Sequence, residues 1–393
     1  ATDSDTDIDR EGETDMNTWG NGSGRSFRTI IRTLIVLIAM MMIVGGCASG
    51  SSSGGSSGGG SGSSGGSEAR SSSSGDGEGN ASAGKSTKKL IIAEPLHNLG
   101  YLPLYAAIHD GQFASRGLEV EVITATGGAH VTAVVSGDAW GVIGGPESNA
   151  MANRNNKDPI VSVVNVVNRA NVYLMAAKGT GPASSSPEDL KEFLKGKRIA
   201  AGRHGGTPNL VTRYLLISLG LDPEKDVTLE EPADGSTVVS LMQQGIVDIA
   251  NGAEPQIADG IAKGVWDEPF YKFPDLGDFS YSVLSVRRSA IDHEPETVQA
   301  FVEAVLEALK KVNEDPEFAR EIASKEFPTL SESDVQASLD RAYEDDLWSK
   351  DGFITEEALK LDMDVMHATG IFTEPYTYDE LIDMRFVNEA NGQ

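Results

Sequence analysis

"KLIIAEPLHNLGYLPLYAAIHDGQFASRGLEVEVI", residues 89–123, decides how this chain is read. Lys89–Ala93 is short and apolar, as a buried strand is. Tyr101–Ser115 carries Leu104, Ala107, Ile108 and Phe113 at helical spacing, and Leu118–Ile123 returns to strand-like alternation. Strand, helix and strand in succession describe a unit whose strands pair in parallel, because the helix carries the chain back across the sheet.

The rhythm continues outward from this stretch. Gly127-Gly128 opens a helix over Ala129–Ser136, Gly141–Ile143 is a brief strand, and Gly144-Gly145-Pro146 opens another helix. Ile160–Val167 and Asn171–Ala177 are Val-rich strands. Around "GPASSSP" (181–187) the pattern breaks and then restarts. Strands are expected at Arg198–Ala201, Val227–Glu230 and Val247–Ala250, with helices at Thr207–Leu219, Thr237–Gln244 and Glu254–Lys263. Phe279–Val286 is a strand that can return the chain to the first unit, and helices such as Pro295–Asn313 and Thr355–Thr369 follow. This alternation predicts an α/β fold of two lobes, each a mainly parallel sheet flanked by helices, with crossings near 178–186 and 274–281 and a cleft between them. The expected division is 88–180 for the first part of lobe 1, 181–278 for lobe 2, and 279–393 for the return to lobe 1 and the C-terminal helices.

Ahead of this body the composition changes. Arg25, Arg28 and Arg32 precede an unbroken apolar run, Leu34–Val44, then Gly45, Gly46 and the single cysteine of the 393-residue chain, Cys47. The run is short for a bilayer core of roughly 30 Å but fits the apolar region of a secretory signal. The order of basic, apolar and small residues before a cysteine resembles a bacterial lipoprotein signal, with Val44-Gly45-Gly46-Cys47 as its lipobox. That resemblance implies lipid on Cys47 and anchoring on the extracytoplasmic face of the cell membrane. Residues 1–46 are then extension and signal, with Met16 the expected start, and 47–87 a lipidated cysteine and a Ser/Gly tether. Such a tether cannot bury enough surface to order itself. It also produces motif matches: "GSGSSG" (60–65), "GSSGG" (62–66) and the Walker-like "GNASAGKS" (79–86). A phosphate loop needs a strand before it and a helix after it, and here the order is inverted.

With 32 basic against 59 acidic residues, the net charge of −27 argues against nucleic acid as a partner. The six histidines form no i,i+4 pair, so no metal site is expected, and nothing implies a cofactor.

"NLGYLPLYAAIHDGQFASRGLEVEV" (98–122), "GKRIAAGRHGGTPNLVTRYLLISLGLDPEKDV" (196–227) and "VDIANGAEPQIADGIAKG" (247–264) together resemble the SsuA/THI5-like (NMT1-like) substrate-binding proteins of ABC importers, over roughly 88–390. The resemblance implies a periplasmic-binding-protein clamshell, a permease and ATPase as partners, and ligands such as sulfonates, taurine, nitrate or thiamine-pyrimidine precursors. It departs at Ala253, where many relatives carry an aromatic before the Glu-Pro pair.

Candidate contact residues lie at the strand ends. In "RHGGTP" (203–208), Gly205 and Gly206 allow close backbone approach, and Thr207 suits the N-cap with Pro208 at the first helical position. Free N–H groups there favour an anionic or polar group. Gly145 and Glu147 lie in the "GGPESNA" turn (144–150), Glu94 and Asn98 follow the first strand, and Tyr101 can stack or hydrogen-bond. Asn168 and Arg169, between two strands, are either site residues or a hairpin turn, and Glu254 is either a contact or a helix cap. The reading is a monomeric, non-catalytic receptor for a small nitrogen-bearing organic solute. A THI5-type precursor-synthesis enzyme or a ligand-sensing subunit of a membrane receptor are the alternatives. Cys47→Ala is expected to abolish metabolic labelling with radiolabelled fatty acid, and undiminished labelling would remove the anchor.

Overall fold

The computed structural model describes residues 87–373 and 375–392; Cys47, the signal and nearly all of the tether fall outside them. Among the described residues, ten strands form two five-stranded sheets. The first contains β1 (Lys88–Glu94), β2 (Leu118–Thr124), β3 (Gly141–Gly144), β4 (Ile160–Val167) and β10 (Ser282–Arg287), in the order β2-β1-β3-β10-β4. The second contains β5 (Tyr173–Ala176), β6 (Arg198–Ala200), β7 (Thr228–Glu230), β8 (Ile249–Gly252) and β9 (Tyr271–Lys272), in the order β7-β6-β8-β5-β9.

The two sheets share one plan. β1 pairs in parallel with β2 and β3, and β6 with β7 and β8. In each sheet the fourth position is filled by a strand antiparallel to both neighbours: β10 in the first, β5 in the second. These reversed strands are the ones that have just crossed from the other lobe. The first crossing is therefore 168–172, not 178–186, because β5 pairs with β8 and β9 rather than closing the first sheet. Tyr173–Ala176 reads as first-lobe strand in the sequence because four buried residues cannot declare which sheet they join. The second crossing is 273–281, and β10 returns the chain to the first sheet.

Helices cover both sheets. The predicted helix over Tyr101–Ser115 is a 3-10 turn at Leu99–Tyr101, α1 (Leu102–His109) and a short α2 (Gln112–Ser115), broken at Gly111, whose φ of 74° favours glycine. α3 (Ala129–Ser136) and α4 (Pro146–Asn153) follow β2 and β3. α5 (Pro187–Leu194), α6 (Thr207–Ser218), α7 (Val238–Gln243) and α8 (Gln256–Ala262) belong to the second lobe. α9 (Arg288–His293) leads into α10 (Pro295–Glu314), whose buried Val298, Phe301, Val302, Val305, Ala308, Leu309 and Val312 form one stripe. Phe301 stacks on Phe113 at 5.1 Å and meets Trp140 edge-on at 5.1 Å, seating α10 under the first sheet.

The last segment holds α11 (Pro316–Glu326), α12 (Glu332–Glu344), α13 (Glu356–Thr369), α14 (Tyr378–Leu381) and α15 (Arg385–Ala390). It protects the edge strand β4, all eight residues of which are buried. Trp348 bridges to Val167 and Ile382 to Ser162, so the exposed row of backbone groups that invites pairing with another chain is covered. The opposite edge, β2, carries Glu119 and Glu121, charges that discourage such pairing.

α8 is pinned by Trp266, which is buried and donates its indole N–H to the Ile257 carbonyl at 3.0 Å. A Cβ on Gly260 would stand 2.0 Å from that ring. Gly260→Ala is therefore expected to destabilise the protein by about 1–3 kcal/mol, the usual cost of overpacking a closed core, measured as a fall in the urea midpoint at unchanged slope.

Candidate functional site

Between the lobes lies a cavity of about 130 Å³. Its walls are the segments that follow strands: Asn98 and Tyr101 after β1, His130 after β2, Gly145 and Ser148 after β3, Arg203, Gly206 and Thr207 after β6, and Asn251, Gly252, Ala253 and Gln256 at and after the end of β8. Val172 and Tyr281, from the two crossings, and Ser282, the first residue of β10, also line it. Strand carboxyl ends converge there because both sheets point them toward the cleft.

Of the residues nominated from sequence, Asn98, Tyr101, Gly145, Gly206 and Thr207 line this cavity. Asn98 accepts from the Gly100 N–H at 2.6 Å, which fixes the loop. Tyr101 is buried and its hydroxyl meets Ser282; burial pushes the phenol well up, so it stays a neutral donor. Gly206 is the N-cap of α6 and Thr207 its first residue. The expected capping by Thr207 does not occur, because its hydroxyl donates instead to Glu147 Oε1, 2.5 Å away on the other lobe. The Gly206 N–H is also spent, on the Arg203 carbonyl at 2.9 Å.

The other nominated residues stand outside the cavity wall. Glu94 is buried and accepts from Tyr105 Oη (2.5 Å), Thr124 Oγ1 (2.7 Å) and His97 Nδ1 (3.1 Å). Gly205 lies in the α6 turn with a φ of 69°. Glu147 is fully buried behind Gly145 and Ser148. Asn168 and Arg169 form no hairpin; they lie in the first crossing, where Asn168 donates to Asp278 at 3.2 Å and Arg169 pairs with Asp278 and, at 3.5 Å, with Asp346. Glu254 accepts from the Ala258 N–H (3.1 Å), Ser338 Oγ (3.0 Å) and Arg341 Nε (3.0 Å), so it ties the second lobe to α12. Glu94 and Glu254 thus have their hydrogen bonds met by the protein itself.

The groups left for a guest are others. Arg203 lines the cavity and donates to the His204 carbonyl, and among the described residues no carboxylate pairs with it. Burial draws its guanidinium below the ordinary value, Glu147 opposing, and it remains a cation. Three residues of this wall carry a buried atom with no hydrogen-bond partner among the described residues: Asn251 Oδ1, Gln256 Oε1 and His130 Nδ1. The Asn251 orientation is fixed by its amide, which donates to the Pro208 carbonyl (3.1 Å) and Thr212 Oγ1 (2.8 Å), so its oxygen is an acceptor without a donor. An unmet buried polar group costs about 1–3 kcal/mol, which a ligand donor can restore. Sequence reasoning missed Asn251, Gln256 and His130, although all three lie at or after strand ends, the signal that found the others.

The sequence matches the NMT1-like family over residues 96–325. The chain belongs to that family. YtlA of Bacillus subtilis (strain 168), named as a candidate binding protein, is 24% identical over 312 residues, covering 78% of this chain and 90% of that one. Among solved structures, the ligand-binding component of an ABC-type import system from Staphylococcus aureus, with zinc bound, superposes with a TM-score of 0.64 at 17% identity, covering 77% of this chain and 99% of that one. The alkanesulfonate-binding protein SsuA of Xanthomonas axonopodis pv. citri, bound to MOPS, gives 0.61 at 16%, covering 75% and 98%. The fold is thus that of periplasmic binding proteins. Among the described residues no helix is long and apolar enough to cross a membrane, and no group of three or more His, Cys, Asp or Glu is placed to hold a metal.

Burial, with the Arg203 charge beside it, pushes the His130 imidazole down to about 4. The unfolded chain takes up this proton near pH 6.5 and the folded one near 4, so the stabilising contribution is whole above 6.5 and is lost as pH falls. His130→Gln is expected to recover up to about 3 kcal/mol of the acid-induced loss between pH 6.5 and 4, read from denaturant curves along the pH series. Parallel curves for the two proteins would show a histidine that titrates normally.

Proposed function

We propose that this chain is the extracytoplasmic solute-binding lipoprotein of an ABC importer, a monomer lipid-anchored at Cys47, whose lobes close around a small nitrogen-bearing organic solute, either taurine/sulfonate-like or thiamine-pyrimidine-like, and pass it unchanged to a permease and its ATPase. The lobes of this reading are 88–180 with 279–393, and 181–278, adjusted at the first crossing. Family membership supports the binding role. The observation that carries the solute chemistry is the set of unmet groups in one interlobe cavity: the Arg203 cation on one side, and Asn251 Oδ1, Gln256 Oε1 and His130 Nδ1 wanting partners.

A cation asks for an anion or a strong acceptor. Carbonyl oxygens without donors ask for N–H groups, and a simple oxyanion offers none. A cavity of about 150 Å³ accepts a benzene ring, so the space here suits one small ring or a short zwitterion. Nitrogen donors directed at Asn251 and Gln256 replace the role expected of Glu94 and Glu147, which stand outside the cavity wall.

Thermal unfolding with taurine, an aminopyrimidine, methanesulfonate and nitrate tests this. A nitrogen-bearing compound at a hundred times its Kd stabilises the native state by about 2.7 kcal/mol, seen as a raised Tm. Gln256→Ala is expected to weaken that compound up to about tenfold, the worth of one hydrogen bond. Tight binding of nitrate or methanesulfonate with no response to any N–H donor would overturn the assignment.

A further inference from the structure

Behind the cavity wall three parts of the molecule meet at one point: α4 of the first lobe, α6 of the second, and the C-terminal helix α13, which packs on both. Each brings one polar side chain, Glu147, Thr207 and Asp362, and both acids are at most 1% exposed. Thr207 Oγ1 donates to Glu147 Oε1 at 2.5 Å, and Ser148 Oγ approaches the same oxygen at 3.4 Å. Among the described residues no N–H or O–H donates to Glu147 Oε2. The Asp362 carboxyl is the neighbouring acid, close enough that each of the two shifts the other's ionisation, and Ser280 Oγ donates to Asp362 Oδ2 at 3.3 Å.

Two buried carboxyl groups in contact cannot both ionise. One proton between them removes the repulsion and supplies the missing donor. The surroundings decide who holds it. Burial raises both acids, and the Glu147 charge drives Asp362 further up. The Thr207 hydroxyl, its own backbone N–H and the Arg203 cation draw Glu147 back down. Tyr101 and Tyr281 also feel the Glu147 charge and stay neutral, and Ser280 donates to Asp362. Asp362 is therefore the protonated member and Glu147 the ionised one.

We propose that a proton shared by Glu147 and Asp362 pins the two lobes and the C-terminal helix together, so that lobe closure, and retention of whatever occupies the cavity, follows the protonation of this pair. The inference stands whatever the solute is. Removing the proton leaves two charges in contact without water, relieved by parting α13 from α4, and the Thr207 contact goes with them. Adding a second proton turns the Thr207 bond from charge-assisted to neutral, which is weaker. Closure is strongest between these limits. The linkage has a definite sign: the folded value of Asp362 lies above its unfolded one, so its contribution to stability is full below the unfolded value and declines as pH rises.

Two measurements on the full chain test this. In carboxyl-carbon NMR, one aspartate resonance is expected to remain protonated at pH 7 and to vanish in Asp362→Asn. Aspartate and glutamate carbons that are all ionised by pH 6 would overturn the shared proton. In a Cys47→Ser background, spin labels at the exposed positions 138 and 188 report the distance between lobes. The parent is expected to open as pH rises through the pair's titration, while Asp362→Asn, which keeps an N–H donor and cannot ionise, holds its distance. A constant distance in the parent across that titration, or equal opening in both proteins, would refute the pin. Should Asp362→Asn fail to fold, Glu147→Gln keeps an acceptor for Thr207, removes one charge, and is expected to hold its distance likewise.

Discussion

Strands β5 and β10 run against the strands beside them because each is delivered from the opposite lobe. That exchange governs both the wall of the cleft and the way the lobes can move. Neither sheet is complete without a strand fed through a crossing, so the crossings pass between the lobes at the cleft and contribute Val172 and Tyr281 to its wall. The exchange also leaves the lobes joined by chain that is held in place. Arg169 binds Asp278 of the other crossing, so the two connections are tied to each other as well as to the sheets. A motion that separates the lobes must therefore bend at 168–172 and 273–281 together.

Polar groups in the interior sort into two sets. Glu94, Glu254 and Arg169 are answered by the protein: tyrosine, threonine and histidine for the first, serine and arginine for the second, aspartates for the third. A different set, Arg203, Asn251, Gln256 and His130, converges on open space. Buried polar groups without partners are uncommon in native proteins, and several in one cavity describe the complement of a guest.

The fold was largely legible because the signals that specify it are local. Glycine turns, apolar alternation and helical stripes mark the helices α3, α4, α6, α7, α8, α10 and α13 and every strand but β9, and family motifs supplied the arrangement. What failed was long-range. Tyr173–Ala176 shows its strand character but not its partner, since sheet membership is decided by β8 and β9 far along the chain. For the same reason Thr207 looked like a cap: the competing acceptor, Glu147, lies sixty residues away. An acid at a strand end, such as Glu94 or Glu147, looks available to a ligand until its neighbours are known. Asp362 did leave a trace, an acid among Ala358, Leu359, Met363 and Met366 on the buried face of α13, where apolar residues are the rule.

The cover on β4 has a consequence for how the molecule comes into being. The first sheet begins at Lys88, yet its fourth strand is Ser282–Arg287, and its far edge is closed by Trp348 and Ile382. Local contacts cannot finish it. Chains dominated by such distant pairings reach their native state slowly, and the N-terminal strands here stay half-built while the residues between Val167 and Ser282 are made. The lobe that starts first is the one completed last, and until then the unpaired flank of β3 waits for a strand not yet synthesised. The acidic residues along β2 guard the other flank throughout that interval.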